Sequence, residues 1–288
     1  MGRSKGVRVL VLVLPILFVT LALFVAPLGY TFLTTFYYHP PGAIMEPILT
    51  TENYSKFLFD SYYWRVVGNT LMIGGVTTLI TLLIGYPLAY QLARRPFLKT
   101  AQLVLLISPL LVNVVIRTYG WKVLLSDVGI INRALMAMGL TDSPIRLVNS
   151  IIGVFIALAH VLLPFMVLSI SSVLEGIDES VIEAAHMLGA SRIKAFLRVV
   201  LPLSLPGVIA GSVFVFVRSA GSFMVPALMG GGRVRTIPTL MYQYMSHLLN
   251  WPFGAVLAFF MTFLLVLIVL AFSSTAMRRQ TRVEADEP

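Results

Sequence analysis

Glu183-Ala184-Ala185-His186-Met187-Leu188-Gly189, then nine residues, then Val199-Val200-Leu201-Pro202 is the stretch that decides how this chain is read. It lies in a long charged loop, with Arg192, Lys194 and Arg198 in its second half, of a 288-residue chain that is 58% hydrophobic and only 11% charged. Its residues are patterned for short helices and not for a span. Asp178 is placed to cap a helix by accepting backbone N–H groups of its first turn. Ile177 and Ile182 stand at the two positions of a hydrophobic staple. Val181, Ala184, Ala185 and Leu188 recur at helical spacing, and Gly189 suits the left-handed residue that ends a helix. Ser191 then caps a second short helix, with Ile193, Phe196, Leu197 and Val200 expected on one face. Pro202 is expected to stop that helix, and Pro206 to fall in the first turn of the next span. The segment 175–205 therefore reads as a helix–turn–helix at the membrane surface, where Ala184 and Ala185 let a partner approach closely. Taken alone, the pattern also fits an amphipathic pair touching only lipid headgroups.

Composition narrows the class around this loop. A mean hydropathy of +0.91 excludes an ordinary soluble domain. The absence of cysteine removes disulfide scaffolds, thiolate metal sites and cysteine nucleophiles together. The net charge of +9 is gathered in short loops and tails, as topology determinants are, which argues against nucleic acid. His160 and His186 have no spaced ligand partners, so no metal site is expected. Ser219 and Ser222 have no neighbouring base, and no G-x-x-x-x-G-K-[ST] run is present.

A span needs about 20 mostly apolar residues. Six segments qualify: 8–32, 67–93, 101–125, 151–174, 206–228 and 254–277. The first is longer than the apolar region of a signal peptide and lacks a small-residue cleavage site, so it reads as an uncleaved span. The third is interrupted by Pro109, Asn113 and Arg117, which are tolerated only against protein or a water-filled path. Arg3, Lys5, Arg8, Arg94, Arg95, Lys99, Arg192, Lys194, Arg198, Arg278, Arg279 and Arg282 fall on one side of these spans. Lys56, Arg65, Lys122, Arg133, Arg146, Arg233 and Arg235 fall on the other. The excess of cations puts both termini and the Glu183 loop in the cytoplasm.

On these residues the chain resembles a known family. Glu-Ala-Ala, three spacers, Gly, nine spacers, Ile, one spacer and Leu-Pro is the pattern of the cytoplasmic coupling loop in permease subunits of type I binding-protein-dependent ABC importers. Val199 stands where the pattern has Ile. The resemblance implies an all-α integral membrane fold of six transmembrane helices with cytoplasmic coupling helices, in the bacterial inner membrane. It implies that Glu183, Ala184, Ala185, Gly189, Val199, Leu201 and Pro202 carry the loop into a cleft of an ATPase subunit. It also implies the partners: two ATPase subunits, a second permease subunit as the other half of the pathway, and a periplasmic binding protein. No cofactor is expected on this chain, ATP and Mg belonging to the ATPase. Domain organisation follows as 1–66 (first span and periplasmic loop), 67–277 (transmembrane domain) and 278–288 (cytoplasmic tail).

Further runs resemble the polyamine branch of this family. They are Arg117-Thr118-Tyr119-Gly120-Trp121, Gly129-Ile130-Ile131-Asn132, Leu163-Pro164-Phe165-Met166, Gly221-Ser222-Phe223 and Trp251-Pro252-Phe253-Gly254. They imply spermidine and putrescine as substrates; the same branch serves iron(III), opines and aminoethylphosphonate. Arg117, Tyr119, Trp121, Arg218, Ser222 and Phe223 are the candidate pathway residues. An arginine at mid-membrane costs at least about 2.5–3.5 kcal/mol, so Arg117 and Arg218 either line the path or are held structurally, Arg117 by snorkelling. Arginines on the path favour an anionic or zwitterionic solute over a polyamine. Gly207 and Gly211, like Gly74 and Gly75, read as sites of close helix packing. A stand-alone secondary transporter or channel is the competing class, but such proteins usually show intramembrane acids and internal repeats. An intramembrane enzyme would need a nucleophile or metal constellation, and none is apparent.

Overall fold

Apolar runs of this length fold as helices because lipid offers nothing to hydrogen-bond an open backbone. The computed structural model describes residues 2–40, 42 and 44–285, and the side chains of residues 2–12, 96 and 273–285 lie outside that description. The cations at positions 3, 5, 8, 278, 279 and 282, and the last residues of the expected tail 278–288, thus lie outside the residues described at side-chain level. In chain order the elements begin α1 (Gly2–Thr34), β1 (Tyr37–Tyr38), β2 (Glu46–Leu49), α2 (Glu52–Phe59) and α3 (Ser61–Arg94). Next come α4 (Pro96–Ile107), α5 (Val114–Leu124), α6 (Ile130–Ala137) and α7 (Ile151–Glu175). The chain finishes with α8 (Glu179–Met187), α9 (Arg192–Ala195), α10 (Leu201–Ala220), α11 (Met224–Met229), α12 (Ile237–Tyr242) and α13 (Trp251–Ala285). Among the described residues five helices are long and apolar enough to cross a membrane, six if a bent pair counts as one.

That bent pair corrects the expected third span. It is not one helix over 101–125 but Phe97–Leu111 and Val114–Leu124, set at 100° to one another. Pro109 tightens the end of the first piece into a 3₁₀ turn. Asn113 then restarts the chain, its Oδ1 accepting from Val115 N at 2.8 Å. The fifth span is corrected at both ends. Helix runs from Arg192 to Ala220 without a stop, so Pro202 does not end it. Proline removes the N–H that would reach residue 198 and crowds that carbonyl. Here a π-helical turn over Phe196–Val200 widens the helix just ahead of the ring. The run ends at Gly221, well before residue 228.

The chain divides into two contact units, residues 1–64 with 240–262, and residues 65–239 with 263–288. In the first, the β1–β2 ribbon is antiparallel, with Tyr37 opposite Leu49. Buried Asn53 fastens it, donating to the carbonyls of Thr35 and Tyr37 at 3.0 Å each. Phe57, Tyr63, Phe253 and Phe260 form an aromatic core, and Tyr63 and Tyr244 share a hydroxyl–hydroxyl bond of 2.9 Å.

In the second unit α10 lies against α7, and the glycines explain how closely. A Cβ on Gly207 would meet the Ser169 carbonyl oxygen at 2.7 Å, and one on Gly211 would meet Met166 Sδ at 2.9 Å. Gly74 likewise faces the Phe216 ring at 2.8 Å, whereas Gly75 has open space. Two apolar clusters fill this unit. One gathers Ile73, Val154, Leu158, Val225 and Met229; the other gathers Ala89, Met166, Ile170, Leu174 and Val200. The loop after α5 is held by fully buried Asn132, which donates to the carbonyls of Ser126 and Ile145 and accepts from Ile145 N.

Candidate functional site

The loop between α7 and α10 forms as its residues direct. Asp178 Oδ1 accepts from Ser180 N at 2.9 Å, capping α8, and this bond holds the carboxyl below its ordinary pKa. Ile177 and Ile182 both pack against the second apolar cluster. The helix ends in a complete Schellman motif. Gly189 has a φ of +81°, its N–H donates to His186 O, and Ala190 N–H donates to Ala185 O at 3.0 Å. Ser191 Oγ accepts from Lys194 N at 3.4 Å.

The result is an exposed apolar tip. Leu188 is 90% exposed and Met187 89%, with Ile193 and Leu197 also outward. Glu183, Ala184 and Gly189 are exposed beside them, while Ala185 is half-buried. Ile193, Phe196, Leu197 and Val200 line one hollow but differ in depth: Val200 is buried and Phe196 half-buried, and Ile193 and Leu197 are exposed. The π-helical turn adds a residue within that run and rotates the later positions away from simple helical register. Val199, Leu201 and Pro202 stand at the head of α10, not on the tip. Between the two helices lies a hollow of about 720 Å³ lined by Tyr90, Ile182, His186, Arg192, Ile193 and Leu197 among others.

What anchors this loop was missed in the sequence. Tyr86, Tyr90 and Arg94 fall four residues apart on α3 and present one face to it. Phe196 sits edge-on to both tyrosines, with centroids at 5.5 and 6.1 Å. Tyr86 OH bonds Ser204 Oγ at 2.8 Å, and Arg94 Nη1 donates to Ile177 O at 3.1 Å. Lys99 and Glu175 close an ion pair at 2.9 Å beside them. The i, i+4, i+8 spacing in Tyr86-Pro87-Leu88-Ala89-Tyr90-Gln91-Leu92-Ala93-Arg94 was the available signal; Arg94 counted only as a topology charge.

Of the candidate pathway residues, four come together. Arg117, Arg218, Ser222 and Phe223 line one hollow of about 600 Å³ at the break of the bent span, with Asn113 and Leu111. Tyr119 and Trp121 do not line it. Tyr119 is exposed, with Lys122 Nζ 5.8 Å from its ring, and Trp121 packs edge-on to His160 at 5.4 Å. Successive residues of one helix point 100° apart, so a motif five residues long cannot face one cavity. Arg218 lies in the last turn of α10, which ends at Ala220, and is exposed.

Comparison with known proteins extends this picture. The family model described as binding-protein-dependent transport system inner membrane component matches residues 82–283. The spermidine/putrescine transport system permease protein PotB of Haemophilus influenzae is 40% identical over 225 residues, covering 78% of each chain. PotB of Escherichia coli is 35% identical over 254 residues, 88% of this chain and 92% of its own. In structure, a chain of a bacterial ABC transporter involved in the import of the acidic polysaccharide alginate superposes with a TM-score of 0.75 at 17% identity, covering 96% of this chain and 99% of its own. That likeness speaks to the fold.

Proposed function

This chain belongs to the family of binding-protein-dependent transport system inner membrane components, and from that premise we propose that it forms half of the translocation pathway of a polyamine importer. Spermidine and putrescine are the proposed substrates. The observation that carries the reading is the 35–40% identity to PotB proteins over most of the chain. It is a multi-pass membrane transport component. In our reading the remaining parts are separate chains: two ATPase subunits that bind ATP and Mg, a second permease subunit and a periplasmic binding protein.

The proposed coupling site is the tip formed by Glu183 to Gly189 with Ile193 and Leu197. Support comes from exposure: large apolar side chains stand in solvent at the end of a capped, anchored helix pair, the arrangement a partner surface would cover. The hydrogen bond from Arg94 and the rings about Phe196 tie that tip to α3, so a push on α8 reaches the spans without passing through a flexible linker. With both termini cytoplasmic, as the distribution of cations directs, the tip faces the compartment that holds ATP.

The test is reconstitution of the assembled transporter in liposomes with labelled spermidine. ATP-dependent uptake that requires the binding protein is the expected result. Uptake of a carboxylate or phosphonate solute with none of spermidine or putrescine would reject the polyamine assignment and leave the permease role standing.

A further inference from the structure

The hollow at the break of the bent span carries two guanidinium groups and no carboxylate. Arg117 is held in place from one side only: its Nη2 donates to Val112 O at 2.7 Å. Its Nε and Nη1 are buried and without a hydrogen-bond partner among the described residues. Arg218 enters the same hollow from the last turn of α10 and makes no polar contact among the described residues. Ser222 adds a hydroxyl and Asn113 an amide. No Asp or Glu occurs between Asp60 and Asp127, or between Glu183 and Glu284, the two stretches of sequence that supply both arginines. The stretches that supply the arginines therefore bring no balancing carboxylate. Helix α7 also lines the hollow, but its one acid, Glu175, is paired with Lys99.

A buried guanidinium with free N–H groups is strongly unfavourable unless an anion meets it. Its planar fork accepts a carboxylate through two parallel bonds, a geometry that an ammonium group cannot meet. We propose that this hollow is an anion site that takes a carboxylate or a phosphonate-like oxyanion on Arg117 and Arg218. Two sources offer that chemistry: an acidic side chain of the second permease subunit, or a free solute. The first source agrees with a polyamine pathway, because it neutralises two charges that otherwise repel a polycation; the second does not. The site itself rests on the arginines and stands independently of the polyamine assignment.

The chain has no cysteine, so a single cysteine at Ser222, or at exposed Leu111 on the same hollow, reports its potential. Paired anionic and cationic methanethiosulfonates of similar size are reacted with the full chain in nanodiscs. The anionic reagent is expected to react faster, by roughly tenfold or more relative to a reference cysteine at Ser143. Arg117→Gln and Arg218→Gln each reduce that preference, and Arg117→Lys retains it. Two further arms separate the sources. Loss of the preference on assembly with the second permease subunit identifies a protein carboxylate. Protection by acetate or methylphosphonate in the assembled transporter identifies a solute. Equal rates for the two reagents at both cysteine positions, unchanged by the arginine substitutions in correctly inserted protein, would overturn the proposal.

Discussion

Gly189 shows what a single residue contributes. Its φ of +81° lies where a side chain is strained, although a Cβ there would meet nothing within 4 Å. The obstacle is thus backbone conformation and not space. Gly189→Val is expected to strain the Schellman turn by about 1–2 kcal/mol and to impair ATPase capture while the protein still inserts. Gly189→Asn, which tolerates the left-handed region, should retain more activity. A pull-down of the ATPase normalised to inserted protein checks this, and equal capture by Gly189→Val would count against a role for the turn. Asp178 gives a pH dependence at the other end of α8. Its carboxyl is lowered by accepting from Ser180 N–H, so its support of α8 is complete above the ordinary carboxylate pKa. That support is lost as pH falls through the depressed value. The protection of first-turn amides of α8, measured as exchange corrected for its intrinsic pH dependence, should fall on acidification, and Asp178→Asn should abolish that fall. Protection that is unchanged or higher at low pH would contradict the cap.

Among the elements, the α7–α10 contact and the π-helical turn set the geometry of the second unit. Gly207 faces backbone, with Ile170 Cα at 3.1 Å from a hypothetical Cβ, and backbone cannot move aside as a flexible side chain can. Gly207→Leu should destabilise the folded chain by roughly 1–3 kcal/mol, read as a lowered Tm in detergent, while Gly75→Ala should be close to neutral. The pairing of Gly207 with Gly211 was legible from sequence because small residues four apart mark a helix contact. Loop capping was legible for the same kind of reason: Asp178, Gly189 and Ser191 act through local backbone geometry. Pro202 was not, because its reading as a stop ignores the option of widening the turn before it. Leu201 N–H reaches Phe196 O across five residues, a bond that only the folded helix reveals. The 100° break at Val112 was foreshadowed by Pro109 and Asn113, yet its direction depends on the packing of α5 against α7. The contacts of Arg94 with Ile177 and of Phe196 with Tyr86 and Tyr90 were not legible, because each joins segments far apart in the sequence.

For the molecule as a whole, orientation in the membrane comes first. Ser143 and Ser191 are both exposed, and the cysteine-free background makes single labels clean. Ser143→Cys should react from outside intact cells and Ser191→Cys only after permeabilisation; the reverse pattern would invert the topology. On the proposed reading, the tip formed by residues 183–189 is where an ATPase would drive this chain from the cytoplasm. Met187 and Leu188 support nothing inside the chain, so a charge there leaves the fold intact while spoiling an apolar contact. The most direct measurement is substrate-stimulated ATP hydrolysis by the assembled transporter carrying Met187→Glu together with Leu188→Glu, set against inserted protein. The expected outcome is normal insertion with stimulated hydrolysis and ATPase capture reduced at least tenfold; full stimulation by the doubly charged tip would contradict coupling through this loop.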